Sequence, residues 1–241
     1  MTRPPRLEAL DGSPEAVRRR TPVGCLWYAA YGSNMHLDRL TCYLAGGRPH
    51  GGLRTYPGCR DPRRPARTTP VMLPGLLYFA TESQVWTGGR AFYDPGPGLA
   101  PAGGGPGRPG GLELPARAYL LTLSQFSDIA AQEMYREPGG DLDLTEALTH
   151  GRSRIGPGRY ETLVCAGLLD GYPVLTLTAP WSSQDITVNP PSAAYLRHIA
   201  AGLVASHGWS ALRAAAYLAG CPGAEGHWTA AEIAALLTDP P

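Results

Sequence analysis

The apolar positions fall into short, dense runs separated by long Gly- and Pro-rich stretches. Cys25-Leu26-Trp27-Tyr28-Ala29-Ala30-Tyr31 is apolar and aromatic throughout and stops at Gly32-Ser33-Asn34. That pattern predicts a buried strand ending in a tight loop. Leu37, Leu40 and Leu44 then recur at helical spacing over 36–44. Further strands are expected over 71–80, 89–93 and 116–123, followed by a helix over 125–136 that Ser124 caps. Two strands over 158–169 and 172–179 flank Asp170-Gly171, a dipeptide that favours a hairpin turn. The last third turns helical. Ser192 caps a helix with Leu196, Ile199, Ala200 and Leu203 on its apolar side, Ser210 starts another that Gly220 ends, and Thr229 with Glu232 forms a capping box. Strands come first and helices are inserted and appended, which predicts an α+β fold.

Between these elements lie segments with little to bury. Residues 1–22 are Arg-rich with four prolines and are expected to be a disordered tail. Residues 54–67 mix five arginines with three prolines, either a solvated basic surface or an anion clamp at the mouth of a site. Residues 94–115 are almost entirely Gly, Pro and Ala and read as a surface insertion. The expected organisation is a tail (1–22), one domain (23–206, carrying the 94–115 insertion) and a helical extension (207–241).

Composition narrows the chemistry. Glycine (31) and proline (25) are abundant in the 241 residues, yet 43% of the chain is hydrophobic, enough for a core. All 21 basic residues are arginine, so a lysine nucleophile or Schiff base is excluded. A net charge of +1 lacks the electrostatic footprint of a nucleic-acid binder. No apolar run approaches the roughly 18 residues that span a membrane, and no apolar segment of a secretory signal follows the first arginines. The five cysteines never form C-x-x-C, so neither a disulfide framework nor a zinc knuckle is predicted, and the expected setting is the reducing cytoplasm.

Two places carry candidate chemistry. In Tyr31-Gly32-Ser33-Asn34 a glycine permits positive φ, and a turn leaving a strand end exposes successive N–H groups suited to a carboxylate or an oxyanion; the same letters are also ordinary turn chemistry. Glu133 falls with Phe126, Ile129 and Ala130 at i, i+3, i+4 and i+7, on the apolar face of the predicted helix. A carboxylate there is either paired with an arginine, such as Arg117 or Arg136, or desolvated toward useful basicity. Rival constellations are thin. Ser33 and His36 have no G-x-S-x-G elbow and no evident acidic partner. His36 and Asp38 form H-x-D, but the six histidines are scattered. The 86–93 run, from Trp86 to Tyr93, is either an aromatic binding wall or a strand with a glycine turn.

Taken together, Leu26 to Met35 resembles the opening strand and Y-G-S-N loop of the gamma-glutamylcyclotransferase-like superfamily, as a divergent bacterial member. Ala118-Tyr119-Leu120-Leu121, the helix that follows, and Pro191-Ser192-Ala193-Ala194-Tyr195 with Ile199 to Leu203 fall in the family's order, covering about residues 25–205. The family's D-x-x-E-G reads here with Ala130 for the aspartate and Met134 for the glycine. The resemblance implies a small, mostly antiparallel β-barrel flanked by helices and an enzyme that needs no metal or cofactor. It assigns Glu133 as catalytic acid/base and Tyr28, Tyr31, Gly32, Ser33 and Asn34 as substrate-binding. The implied substrate is a small gamma-glutamyl amide or related acyl-amine, released as 5-oxoproline and a free amine, with neither nucleic acid nor membrane as partner. The alternatives are a binding module on the same fold and an amide hydrolase or deacetylase.

Overall fold

The computed structural model describes residues 3–21, 23–50, 52–96 and 112–238. Its strands are β1 (Cys25–Ala30), β2 (Arg67–Pro74), β3 (Leu76–Ala80), β4 (Arg90–Asp94), β5 (Glu113–Thr122), β6 (Arg152–Arg154), β7 (Thr162–Leu169) and β8 (Tyr172–Thr178). Its helices are α1 (Pro14–Arg20), α2 (Leu37–Ala45), α3 (Leu123–Glu133), α4 (Thr145–His150), α5 (Ala193–His207), α6 (Ala211–Ala219) and α7 (Ala230–Ala235). The class is α+β.

β1 is central because it is apolar on both faces: five of its six residues are buried. It pairs antiparallel with β5 and parallel with β8. The six-stranded sheet runs β2-β5-β1-β8-β7-β6, and β3-β4 forms a separate hairpin. This corrects the expected barrel, since neither β2 nor β6 pairs with a further strand and the described sheet stays open. The single strand expected over 71–80 is two. Gly75, at φ +119°, turns the chain out of the large sheet, and a Cβ there would overlap the Asp94 carbonyl. The hairpin between β7 and β8 forms as expected, with Asp170 at φ +51° and Gly171 at φ +78°.

The N-terminal segment is not the expected disordered tail. Ser13 caps α1, whose Ala16 and Val17 are buried. Glu8 exchanges two backbone hydrogen bonds with Leu168 beside the β7 bulge (2.8 and 2.9 Å). Of the 94–115 insertion, residues 97–111 lie outside the described residues. The C-terminal helices start where their caps predict, at Ser192, Ser210 and Thr229. α5 is the structural lid of the loop after β1: a Cβ on Gly202 would stand only 2.6 Å from Met35 Cβ, so this helix can approach the loop only with glycine there.

Two α5 histidines make stability pH-dependent. Burial lowers the pKa of His198, with His36, Arg39 and His50 adding like charge against a hydrogen-bonding contact to the His50 carbonyl. Burial likewise lowers that of His207, beside Arg213 and Arg117, against a contact to the Val71 carbonyl. The folded chain thus favours both neutral imidazoles, so their contribution is present above the unfolded value of 6.5 and is lost as pH falls below it. The melting temperature should drop between pH 7.5 and pH 5. Scanning calorimetry of the His198→Gln/His207→Gln double variant should give a flatter pH dependence; an unchanged slope would remove both histidines from the effect.

Candidate functional site

The six sequence-predicted residues, Tyr28, Tyr31, Gly32, Ser33, Asn34 and Glu133, all line one cleft of about 660 Å³, its open mouth included. The loop after β1 forms one wall. Ser33–Met35 make a single 3-10 turn, with the Met35 N–H donating to the Gly32 carbonyl at 3.0 Å and the His36 N–H to the Ser33 carbonyl at 3.1 Å. The N–H groups of Gly32, Ser33 and Asn34 precede the first closed bonds and donate to nothing among the described residues. The loop is pinned from β5, where the Tyr119 hydroxyl lies 2.9 Å from the Asn34 carbonyl and 3.0 Å from that of Met35. The reason for glycine differs from the expectation. Gly32 has φ −101°, which any residue adopts, and what its missing side chain spares is crowding, since a Cβ would stand 3.0 Å from the Tyr195 hydroxyl.

The opposite wall ends in Glu133. α3 is capped by Thr122 in a capping box with Gln125, two residues ahead of the expected Ser124, and it stops at Glu133 rather than Arg136. The Thr122 hydroxyl terminates β5 and opens α3 at once, which leaves no linker in which Ser124 could act. Phe126, Ile129 and Ala130 are fully buried beneath the helix, as the apolar spacing requires, and Glu133 stands half-buried at its end. Glu133 Oε1 accepts from the Tyr43 hydroxyl (2.6 Å) and from Asn34 Nδ2 (3.2 Å), while Oε2 accepts from no group among the described residues. Among the described residues no arginine forms an ion pair with it: Arg136 binds Glu161 and Arg117 binds Thr68 and the Met35 carbonyl.

Behind Tyr43 stands a cation with no sequence motif to announce it. Arg39 is 3% exposed. Its Nη2 donates to the hydroxyls of Tyr43 (3.2 Å) and Tyr56 (2.6 Å), and its guanidinium lies 4.4 Å from each ring. Burial opposes its charge, but Tyr43, Tyr56 and Glu133 outweigh burial and hold its pKa above the ordinary arginine value. Arg39 and Tyr43 are i, i+4 on α2, a pairing the sequence does contain. Burial, reinforced by the Glu133 charge, raises the Tyr43 and Tyr28 pKa values, so both hydroxyls stay protonated. Tyr28 accepts from Asn34 Nδ2 at 3.1 Å, whereas the Tyr31 hydroxyl is committed to the Leu177 carbonyl at 2.7 Å. Asn34 Oδ1 is buried and accepts nothing.

Other candidates resolve differently. In the basic loop, Arg60, Arg63 and Arg67 are ion-paired to Asp128 and Asp141, Asp61 and Asp170. Arg54 alone reaches the cleft rim, 4.1 Å over the ring of Tyr135. Among the described residues the Ser33 hydroxyl makes no hydrogen bond to the His36 imidazole, whose ring instead lies 6.2 Å from that of His198. Among the described residues no three His, Cys, Asp or Glu side chains are grouped to hold a metal ion. Trp86 lines the cleft, stacked 5.9 Å from Tyr195, so part of the 86–93 run is a wall and the rest is turn and β4. No helix among the described residues is long and apolar enough to cross a membrane.

No family profile matches the chain. Similar solved structures include a gamma-glutamyl cyclotransferase, 15% identical with a TM-score of 0.43, covering 88% of this chain and 98% of that one. An uncharacterised human protein is also similar, 15% identical with a TM-score of 0.46, covering 90% of this chain and 99% of that one. Among curated proteins, histone deacetylase 5 of Arabidopsis thaliana is 31% identical over 209 residues, 80% of this chain. This chain spans 30% of that protein's length.

Proposed function

We propose that the chain is a gamma-glutamylcyclotransferase-like enzyme of the cytoplasm that cleaves a gamma-glutamyl amide by intramolecular attack of its own amine. The observation that carries this is a half-buried carboxylate, Glu133, in no direct ion pair among the described residues, which lines the same cleft as the uncommitted N–H groups of Gly32 to Asn34. Tyr43 and Asn34 fix Oε1, so Oε2 is the oxygen left to take a proton. In this reading the loop N–H groups hold the substrate's carboxylate, and Glu133 with the unpartnered Asn34 Oδ1 receives its ammonium. Glu133 removes one ammonium proton, and the freed amine nitrogen bonds to the gamma-carbonyl carbon. Glu133 passes that proton to the leaving nitrogen as its bond to the carbon breaks, then relays the second proton of the attacking nitrogen in the same way, so the ring nitrogen keeps one hydrogen and the amine departs as an ammonium. The products are 5-oxoproline and the amine, with no water consumed. Ring closure within one molecule makes orientation worth several kcal/mol, of order 7–11 in well-aligned cases.

The test is 5-oxoproline release from gamma-glutamyl amides of varied amine. Release that depends on the protein supports the reading. Absence of release from every amide would leave the cleft as a binding module.

Tyr43 gives a graded prediction. Tyr43→Phe removes the 2.6 Å donor to Glu133 and leaves its ring in place. A hydrogen bond to a charged group is worth about 1.5–3 kcal/mol, so kcat should fall about 10- to 100-fold. Steady-state kinetics should show the loss in kcat rather than KM; an unchanged kcat would leave Tyr43 a packing residue.

A further inference from the structure

Tyr135 lines the cleft two residues beyond Glu133, in a backbone conformation that suits glycine better. α3 ends in a doubly bonded turn. The Arg136 N–H donates to the Ala131 carbonyl at 2.8 Å, and the Tyr135 N–H to that of Gln132 at 3.2 Å. Such a turn needs a left-handed residue just past the helix end, where glycine is the usual occupant. Tyr135 takes that place at φ +59°, at a cost in free energy that glycine avoids. The backbone gives no reason for a tyrosine, so the reason lies with its ring.

The ring belongs to a residue 38% exposed and carries two guanidinium groups, Arg54 at 4.1 Å and Arg159 at 4.6 Å from its centre. Neither arginine joins an ion pair among the described residues. Arg159 Nε and Nη2 are buried with no hydrogen-bond partner there, and Arg54 Nη1 donates to the Gln132 carbonyl at 3.4 Å. Glu133 follows Gln132 directly, and Tyr160, next to Arg159, lines the cleft with Glu133 and Tyr135. Two cations without an acid thus stand beside a carboxylate whose Oε2 accepts nothing among the described residues, and still no ion pair forms. Opposite charges this near, with donors and acceptor unfilled, pair unless another group engages them. The Tyr135 ring is the group that engages both. We propose that Tyr135 is a positioning residue that holds Arg54 and Arg159 off Glu133 and so keeps the carboxylate free to move a proton. This rests on the cyclotransfer reading of Glu133. An arginine seated on Glu133 would favour its ionised form and occupy Oε2, the oxygen that takes the ammonium proton.

Tyr135→Gly removes the ring and the backbone cost together. Its melting temperature should match or exceed that of the natural chain, because the glycine turn is relaxed and a new ion pair forms. Its kcat for 5-oxoproline release should fall about 10-fold or more, the loss of basicity that an adjacent arginine imposes. Tyr135→Phe keeps the ring over both guanidinium groups and should hold kcat within about twofold. Adding Arg54→Gln and Arg159→Gln to Tyr135→Gly removes the intruding charges and should restore most of the lost rate. A ring that merely packed or touched substrate would allow no such rescue. A second comparison needs no turnover. Glu133→Gln should lower the melting temperature of the Tyr135→Gly chain by about 2–4 °C more than that of the natural chain, since only the former has an ion pair to lose. If no chain releases 5-oxoproline, the cyclotransfer reading falls and this difference alone decides on the shielding. Should the glycine chain fold poorly, Tyr135→Asn repeats the series, since asparagine also tolerates the left-handed backbone. An unrestored rate in the triple variant, or an equal effect of Glu133→Gln on both melting temperatures, overturns the proposal.

Discussion

Glu133→Gln is expected to lower kcat for 5-oxoproline release by about 10³-fold or more, in line with the 10²–10⁴ that a positioned acid/base contributes, and to change KM little. The amide keeps the shape of the carboxylate and offers Oε1 to the same two donors, Tyr43 at 2.6 Å and Asn34 at 3.2 Å. What it lacks is a basic oxygen, so the substrate ammonium keeps its proton and the amine lone pair never reaches the gamma-carbonyl. The fold should survive, because Glu133 is the last residue of α3 and only half-buried, and the helix is anchored earlier by its capping box and by Phe126 and Ile129. Arg39 loses the charge it senses through Tyr43, which shifts stability modestly and moves no backbone. Stopped assays of 5-oxoproline with thermal melts of both proteins decide the matter. A kcat within threefold of the natural chain, at equal folding, would take Glu133 out of proton transfer.

The Tyr31–Asn34 loop and Glu133 were each legible in the sequence as element ends for a physical reason, whereas their meeting in one cleft was implied only by the family resemblance. Each sits at the end of a strongly patterned element, the apolar run of β1 and the i, i+3, i+4, i+7 face of α3, so the periodicity that predicts the element also predicts where its last residue points. The caps at Ser192, Ser210 and Thr229 were legible because a hydroxyl ahead of an apolar repeat has one role. Ser124 misled because Thr122, also a hydroxyl, closes β5 and opens α3 without a gap, and strand pattern masks a cap inside it. The glycine loop was placed correctly for the wrong reason, since crowding by Tyr195, from a helix far along the chain, leaves no local mark. Arg39 was invisible as a site residue because a single arginine acquires meaning only from what surrounds it, here two tyrosine rings. The closed barrel failed similarly, since closure depends on which edges meet and not on any strand's own pattern.

Arg60→Ala is expected to be the costliest change outside the core, at about 3 kcal/mol. Asp128 lies wholly inside, 0% exposed, on α3. It accepts the Arg60 backbone N–H at 2.8 Å and Arg60 Nε at 2.9 Å. Truncating the guanidinium leaves a buried carboxylate with one backbone donor, and breaking a buried pair from one side costs about 3–5 kcal/mol. The Arg60 side chain is 40% exposed, so water screens the pair and the lower end applies. In a chain of this size that lowers the melting temperature by about 6–12 °C. Asp128 is five residues ahead of Glu133. In the intervening turn Gln132 also ties α3 to the loop, accepting from the Gly58 N–H and donating to the Tyr43 carbonyl. Those bonds should hold Glu133 in place at 25 °C, so kcat per folded molecule stays within about threefold while stability falls. Adding Asp128→Asn to Arg60→Ala removes the stranded charge and should restore at least half of the lost melting temperature, as the desolvation penalty of an unpaired ion predicts. A double variant no more stable than Arg60→Ala would mean that the loss comes from the packing of the arginine stem against α3 rather than from the buried charge, and the clamp would then be steric.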